Sequence, residues 1–232
     1  MRFAVLGTGV VGRTIAVKLA SLGHEVVIGT RDPKTTLARA EPDGYGNPPF
    51  SAWQHENPQV RLATFAEAAA GADTVVNATA GGVALEILAA AGAENLAGKV
   101  LADIANPLDF SGGMPPSLDP VNTDSLGEQI QRAFPEAKVV KTLNTMNASI
   151  MVDPSQVPGE HTVFVSGNDA EAKQAVTELL ASFGWPRPSI IDLGDITTAR
   201  GTEMLLPIWL RLYSTLGHAQ FNFHIAGAYP AA

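Results

Sequence analysis

The strongest chemical signal in this chain is a set of three glycines near its start. Gly7-Thr8-Gly9-Val10-Val11-Gly12 has the spacing G-x-G-x-x-G. It follows Phe3-Ala4-Val5-Leu6, which reads as a buried strand, and it opens Val10 to Leu22, which reads as a helix stopped by Gly23. In that setting each glycine has a separate job. Gly7 makes the tight turn, Gly9 lets backbone approach a pyrophosphate without a Cβ in the way, and Gly12 permits close helix–strand packing. The unsatisfied N–H groups and positive end of the helix then face the phosphates. The pattern implies a dinucleotide site, and an ordinary βα turn is the competing reading.

The choice of dinucleotide turns on the end of the second strand, Glu25-Val26-Val27-Ile28, which stops near Thr30. Thr30 is a hydrogen-bond donor and Arg31 a planar cation, a pairing that suits a 2′-phosphate. Asp32 lies twenty residues past Gly12, where an NAD site carries its acidic residue. Pro33 follows it, however, so Asp32 reads as a helix cap with proline at the first helical position. The expectation is NADP(H), with Lys34 in the same candidate set. A solvated surface role for Arg31 stays open.

Other chemistries lack their residues. The chain has no cysteine, which removes thiolate nucleophiles, iron–sulfur clusters and cysteine zinc sites. There is no G-x-S-x-G elbow and no G-x-x-x-x-G-K-[ST] loop. His24, His55, His161, His218 and His224 show no metal-ligand spacing. Without an evident acid–base pair, hydride transfer by a bound cofactor is the chemistry that remains.

These residues need a scaffold, and the alternation of β-branched runs with helical stretches supplies one. It predicts an α/β Rossmann fold with a parallel sheet. Further strands are expected at Val60–Leu62, Thr74–Ala78, Lys99–Ile104 and Lys138–Lys141. Helices are expected at Phe65–Ala70, Val83–Ala91 and Ser125–Phe134. Pro42, Gly44, Gly46, Pro48 and Pro49 mark a long loop running to about Pro58, and Asn106 to Asn122 reads as irregular. The rest predicts a strand at Thr162–Ser166, a helix at Asp169–Phe183 and a strand at Ser189–Leu193. One long helix from Ile196 to Leu216 and a closing strand from Gln220 to Ile225 complete it. Two units are expected: residues 1–150 as the NADP-binding domain, and 151–232 as a small α/β C-terminal unit completing the cleft and the dimer contacts.

With 232 residues, 46% of them hydrophobic, and a net charge of −8, the composition is that of a folded chain without a nucleic-acid-binding surface. No apolar run reaches the length of a membrane span, and Arg13 and Lys18 interrupt the apolar start that a secretory signal would need. A cytoplasmic protein without membrane contact is expected.

Three segments resemble the family of NADPH:coenzyme F420 oxidoreductases, the F420-dependent NADP reductases: AVLGTGVVGRTIAVKLASLGHEVVIGTRDP, VVKTLNTMNASIM, and DLGDITTARGTEMLLPIWLRL. The resemblance implies hydride exchange between NADP(H) and the deazaflavin F420, in a cleft between a Rossmann domain and a small C-terminal unit. It implies that Thr8, Gly9, Thr30 and Arg31 hold the NADP phosphates and ribose, and that Met146 and Ala148 line the nicotinamide pocket. Ala78, Thr79 and Asn106 complete the expected cofactor set. Asn144, Met146, Asn147 and Ala148 are the cleft candidates nearest the reacting atoms. Asn144 and Asn147 stand where archaeal members carry His and Pro, Thr79-Ala80-Gly81-Gly82 replaces an aromatic segment, and Tyr45–Pro58 is an insertion. The resemblance also implies a homodimer, with Met204–Leu216 contributing.

Bland roles remain open for several of these residues. Asn106-Pro107 could simply end a strand, Asn144 and Asn147 could satisfy loop backbone, and Met146 could be packing. Gly201, costly inside a helix, implies close approach of a helix or a flat ring. Alternative functions are a reductase of another small acceptor (a flavin, quinone, ferric chelate or imine) and a non-catalytic NADP(H) sensor.

Overall fold

A computed structural model describes residues 1–43 and 46–227. The first half alternates as expected. β1 (Arg2–Leu6), α1 (Val10–Ser21), β2 (Glu25–Thr30), α2 (Pro33–Ala38), α3 (Phe50–Glu56) and β3 (Val60–Thr64) come first. Then follow α4 (Phe65–Gly71), β4 (Thr74–Asn77), α5 (Ala84–Ala91), α6 (Ala93–Leu96) and β5 (Val100–Asp103). A two-stranded ribbon, β6 (Leu108–Asp109) and β7 (Ser117–Leu118), lies inside the segment expected to be irregular. α7 (Leu126–Ala133), β8 (Lys138–Thr142), α8 (Ala148–Val152), β9 (Val163–Gly167), α9 (Ala170–Phe183) and β10 (Ile190–Asp192) lead to α10 (Ala199–Met204) and α11 (Leu206–Leu216).

The strands form one sheet in the order β10-β9-β8-β5-β4-β1-β2-β3. From β3 to β8 every pairing is parallel, the doubly wound order whose reversal lies between β1 and β4. β9 runs antiparallel to β8, and β10 runs parallel to β9. Residues after 150 thus extend the sheet that the N-terminal strands begin.

Side-chain alternation explains why both faces are covered. Phe3 and Val5 of β1 enter one core, with Ile15 and Leu19 of α1, Val165 of β9 and Leu180 of α9. Ala4 and Leu6 enter the other, with Phe65 of α4, Leu88 of α5 and Ile130 of α7. Each fully buried leucine or phenylalanine contributes roughly 1.5–3 kcal/mol. Helix starts are written locally. Asp32, Thr64, Ser125 and Asp169 each accept a backbone N–H from the first turn of the following helix.

Three expectations need correction. The long loop contains α3, whose Phe50 is buried against Trp53 with ring centroids 5.1 Å apart. The prolines before it end at Pro49, which occupies the N-cap rather than the helix interior. The expected start of the insertion, Tyr45, lies outside the described residues. The single helix from Ile196 to Leu216 is instead a 3-10 turn, α10 and α11, restarting at Leu205 because Pro207 in the first turn of α11 has no N–H to continue the earlier helix. The segment from Gln220 to Ile225 is no strand. Phe223 accepts one backbone bond from Thr162, and the Asn222 amide takes the Thr162 carbonyl, so a side chain stands where a ladder would continue. Among the described residues of this chain, a Cβ on Gly201 would meet nothing within 4 Å.

Candidate functional site

The glycine turn has the geometry its spacing implies. Gly7 has φ +121°, and a Cβ on it would lie 2.5 Å from the Ala78 carbonyl oxygen. A Cβ on Gly12 would lie 2.2 Å from the Gly7 carbonyl oxygen, so the third glycine closes the helix onto the turn itself. Gly9 differs, since a Cβ there would meet nothing within 4 Å. That open space lies at the N-terminus of α1, where no side chain caps the first turn and no acidic residue stands. The first amides of α1 therefore point out with positive dipole, a fit for a pyrophosphate.

Around the end of β2 the side chains divide their duties. Asp32 accepts from the backbone of Lys34 (2.8 Å) and Thr35 (3.2 Å), so it is a cap turned into α2. Those bonds hold its carboxyl below the usual range. The Thr30 hydroxyl is buried and shares a 2.8 Å hydrogen bond with Thr36. Arg31 reaches Glu86 on α5 at 3.1 Å, with both side chains mostly in water, a contact of about 0–1 kcal/mol that a phosphate would displace. Lys34 is exposed. On this side a cavity of about 430 Å³ is lined by Thr8, Gly9, Arg13, Thr36 and Arg39, and also by the acidic Glu41 and Asp43.

Gly9 also borders a larger cleft of about 650 Å³. It lies beyond the C-terminal ends of β1, β4, β5 and β8, at the switch point where such sheets bind ligands. It brings together Val10, Val11, Ala78, Thr79, Asn106, Asn144, Met146, Asn147 and Ala148 from the expected set. Gly7, Gly12, Thr8, Thr30, Arg31 and Lys34 are not among the residues lining it. Asn106 and Asn144 bond each other twice. Asn106 donates to the Asn144 carbonyl at 2.8 Å, and the Asn144 amide donates to Asn106 Oδ1 at 3.0 Å. Asn147 caps α8, accepting from the Ser149 N–H at 3.0 Å. Asn106 and Asn147 thus hold backbone and Asn144 holds the Asn106 side chain, while all three line the cleft. Met146 is buried in the core as well as lining it.

Other residues escaped the sequence reading. Arg13, directly after the last glycine, donates to the Thr8 carbonyl (2.8 Å) and the Pro48 carbonyl (2.7 Å), and lies over the rings of Phe50 and Trp53. It clamps the insertion to the glycine turn, and burial lowers its pKa. A cation beside the motif and two aromatics in the insertion were the available signals. The far wall of the cleft is apolar: Leu108 and Phe110 from the ribbon segment, Leu206 and Trp209 from α11. Only the folded chain places them there.

Known proteins share this architecture. The family described as NADP oxidoreductase coenzyme F420-dependent matches residues 2–107. The F420-dependent NADP reductase of Methanothermobacter marburgensis is 27% identical over 216 residues, 91% of this chain and 92% of that protein. Metalloreductase STEAP3 of Rattus norvegicus is 27% identical over 213 residues, 90% of this chain, which spans only 38% of that longer protein. A crystal structure from Arthrobacter sp. FB24, described as a "putative F420 dependent NADP-reductase", superposes with a TM-score of 0.93. Its sequence is 69% identical, and the match covers 97% of this chain and 99% of that one. With that identity over nearly the whole of both chains, the chain belongs to the family of F420-dependent NADP reductases.

Proposed function

We propose that the chain exchanges hydride between NADP(H) and the deazaflavin coenzyme F420. The observation that carries this reading is one continuous cleft joining the glycine turn at Gly9 to an apolar wall at Leu206 and Trp209, across the switch point of the sheet. Such a cleft has room for a nicotinamide and a second flat ring, and the family supports their identities.

When bound, the reduced nicotinamide supplies a hydride from C4 to C5 of the deazaflavin. The protein's part is position, since the reacting carbons must meet at about 3–3.5 Å. The amides at the start of α1 and the open space at Gly9 hold the pyrophosphate. Thr8, Thr30, Arg31 and Lys34 take the 2′-phosphate side, joined by Arg39. Ala78, Thr79, Asn106, Met146 and Ala148 hold the nicotinamide half, and Asn144 and Asn147 stiffen the loop facing the acceptor. Phe110, Leu206 and Trp209 exclude water from the place of transfer.

Residues 1–150 form the NADP-binding unit in this reading, and 151–232 complete the cleft and a homodimer. On α11 the half-exposed Ile208, Tyr213 and Leu216 supply an apolar contact, which sedimentation giving only monomer would overturn. No described helix is long and apolar enough to cross a membrane, in keeping with a cytoplasmic enzyme.

The test is anaerobic mixing with NADPH and F420. Bleaching of the deazaflavin, much faster with NADPH than with NADH, is expected. Binding of NADPH with oxidation only by a flavin, quinone, ferric chelate or imine would move the acceptor, and binding without any turnover would indicate a sensor.

A further inference from the structure

Beneath the cleft lies a charge cluster that the hydride exchange does not itself use. The Lys141 side chain, on β8, has no exposed surface. Its ammonium contacts Asp103 Oδ2 and Glu203 Oε1, each at 2.8 Å, and donates to the Ala105 carbonyl. Burial pushes this ammonium down, but the two carboxylates outweigh it and hold its pKa above the usual lysine value. Lys141 is therefore a cation in the folded protein.

The bonds from Asp103 continue to loops lining the cleft, while Glu203 belongs to the helix that leads into its apolar wall. Asp103 Oδ1 accepts from the Asn77 amide at 2.8 Å and from the Ala105 N–H at 3.2 Å. Asn77 Oδ1 in turn accepts the Thr79 hydroxyl at 2.7 Å. Thr79 and Ala105 belong to the two loops that line the cleft after β4 and β5. Those loops touch: a Cβ on Gly81 would lie 2.1 Å from the Asn106 carbonyl oxygen. On the other side, Glu203 sits in α10, just before the Leu206 and Trp209 that form the apolar wall. It accepts from the N–H groups of Leu126 (2.9 Å) and Gly127 (3.1 Å) at the start of α7. That helix N-terminus offsets the second negative charge.

Apolar side chains would pack this space at no desolvation cost, so stability alone is a poor reason for three buried charges. What the cluster does supply is direction, because each bond tolerates little change in length or angle. We propose that Lys141 is a positioning residue. Through Asp103 and Glu203 it holds the loops under the nicotinamide half and the apolar wall facing the acceptor in one geometry. The inference rests on the dinucleotide reading of the cleft given above.

The test compares binding of NADPH with binding of 2′-phospho-ADP-ribose, which lacks the nicotinamide half, by titration calorimetry on the whole protein. For Lys141→Met, the Kd for NADPH rises about tenfold or more, because two buried carboxylates lose their cation. The Kd for 2′-phospho-ADP-ribose stays within about twofold, a range that ordinary surface changes also leave intact. Adding Glu203→Gln to Lys141→Met removes the repulsion and recovers most of the NADPH affinity. Should Lys141→Met not fold, Asn77→Ala cuts the link to Thr79 while Lys141 still neutralises Asp103, and the same split follows at smaller size. Equal losses for both ligands, or none, in the folded variant would overturn the positioning role. Wild-type protein that binds neither ligand would instead overturn the dinucleotide reading itself.

Discussion

The two ends of the cleft are built in different ways. At the glycine turn, backbone groups within a few residues of each other set the shape, with Ala78 and the Arg13 clamp added from farther along the chain. Gly7 and Gly12 meet through a backbone carbonyl, and Asp32 caps the helix that begins one residue later. At the far wall the contacts span the chain. In the helix leading into it, Glu203 reaches Leu126 and Gly127, and Arg200 reaches Glu128. The first end gains its shape from backbone conformation, whereas the second depends on charged and polar side chains brought together by the sheet. A turn of the first kind suits a ligand part common to many enzymes. A wall of the second kind can be altered residue by residue, which suits the part of the site that selects an acceptor.

Substitutions should separate the two ends, and the largest effect is expected at the far wall. Glu203→Ala removes one partner of a buried pair and leaves two N–H groups unbonded, so a loss of about 3–5 kcal/mol in denaturant unfolding is expected. A loss below 1 kcal/mol would show that the wall does not depend on the cluster. At the turn, Gly12→Ala pushes a methyl into the Gly7 carbonyl oxygen and should cost about 1–3 kcal/mol. It should also abolish NADPH binding in calorimetry, and retained binding would mean that the turn yields without loss.

Arg31→Ala should weaken NADPH about tenfold or more and NADH hardly at all, the discrimination expected of one phosphate-binding guanidinium. Equal effects on both would place Arg31 on the surface with Glu86 as its only partner. Asp32→Ala should lower stability by about 1 kcal/mol, as loss of a cap does, and leave the NADPH-to-NADH preference unchanged. A shift of the preference toward NADPH would show that Asp32 also faces the ribose.

The smallest effect concerns acid. Asp124 beside Arg132 is held down to about 2. Its folded value lies below the unfolded one, so its stabilisation is present at neutral pH and is lost as pH falls from about 4 towards 2. Arg132 is mostly exposed, which discounts the contribution to a fraction of a kcal/mol. Melting of Asp124→Asn should accordingly match the parent at pH 2 and differ slightly at pH 7.

Much of this is legible in the residues alone. The strands from β1 to β5, the glycine turn and the capping role of Asp32 all follow from residues close in sequence, because turns and caps are local backbone problems. The sheet's Rossmann character followed from alternation. The set of Ala78, Asn106, Met146 and Ala148 was found through resemblance, and the fold does bring those four to one cleft.

Other features had no local signature. Phe50 and Trp53 look like loop residues until Arg13 lies over their rings. The apolar run from Met204 to Leu216 reads as one buried helix, yet Pro207 breaks it and half of its apolar side chains stay exposed. Residues close in sequence determined the glycine turn after β1 and where α1, α2, α4, α7 and α9 begin. Only the tertiary structure decided that Asp103, Lys141 and Glu203, far apart in the chain, share one buried site. Local propensity acts over a few residues, but the pairing of buried charges is settled only when strands and helices have already packed, since an unpaired charge in that interior would be too costly to keep.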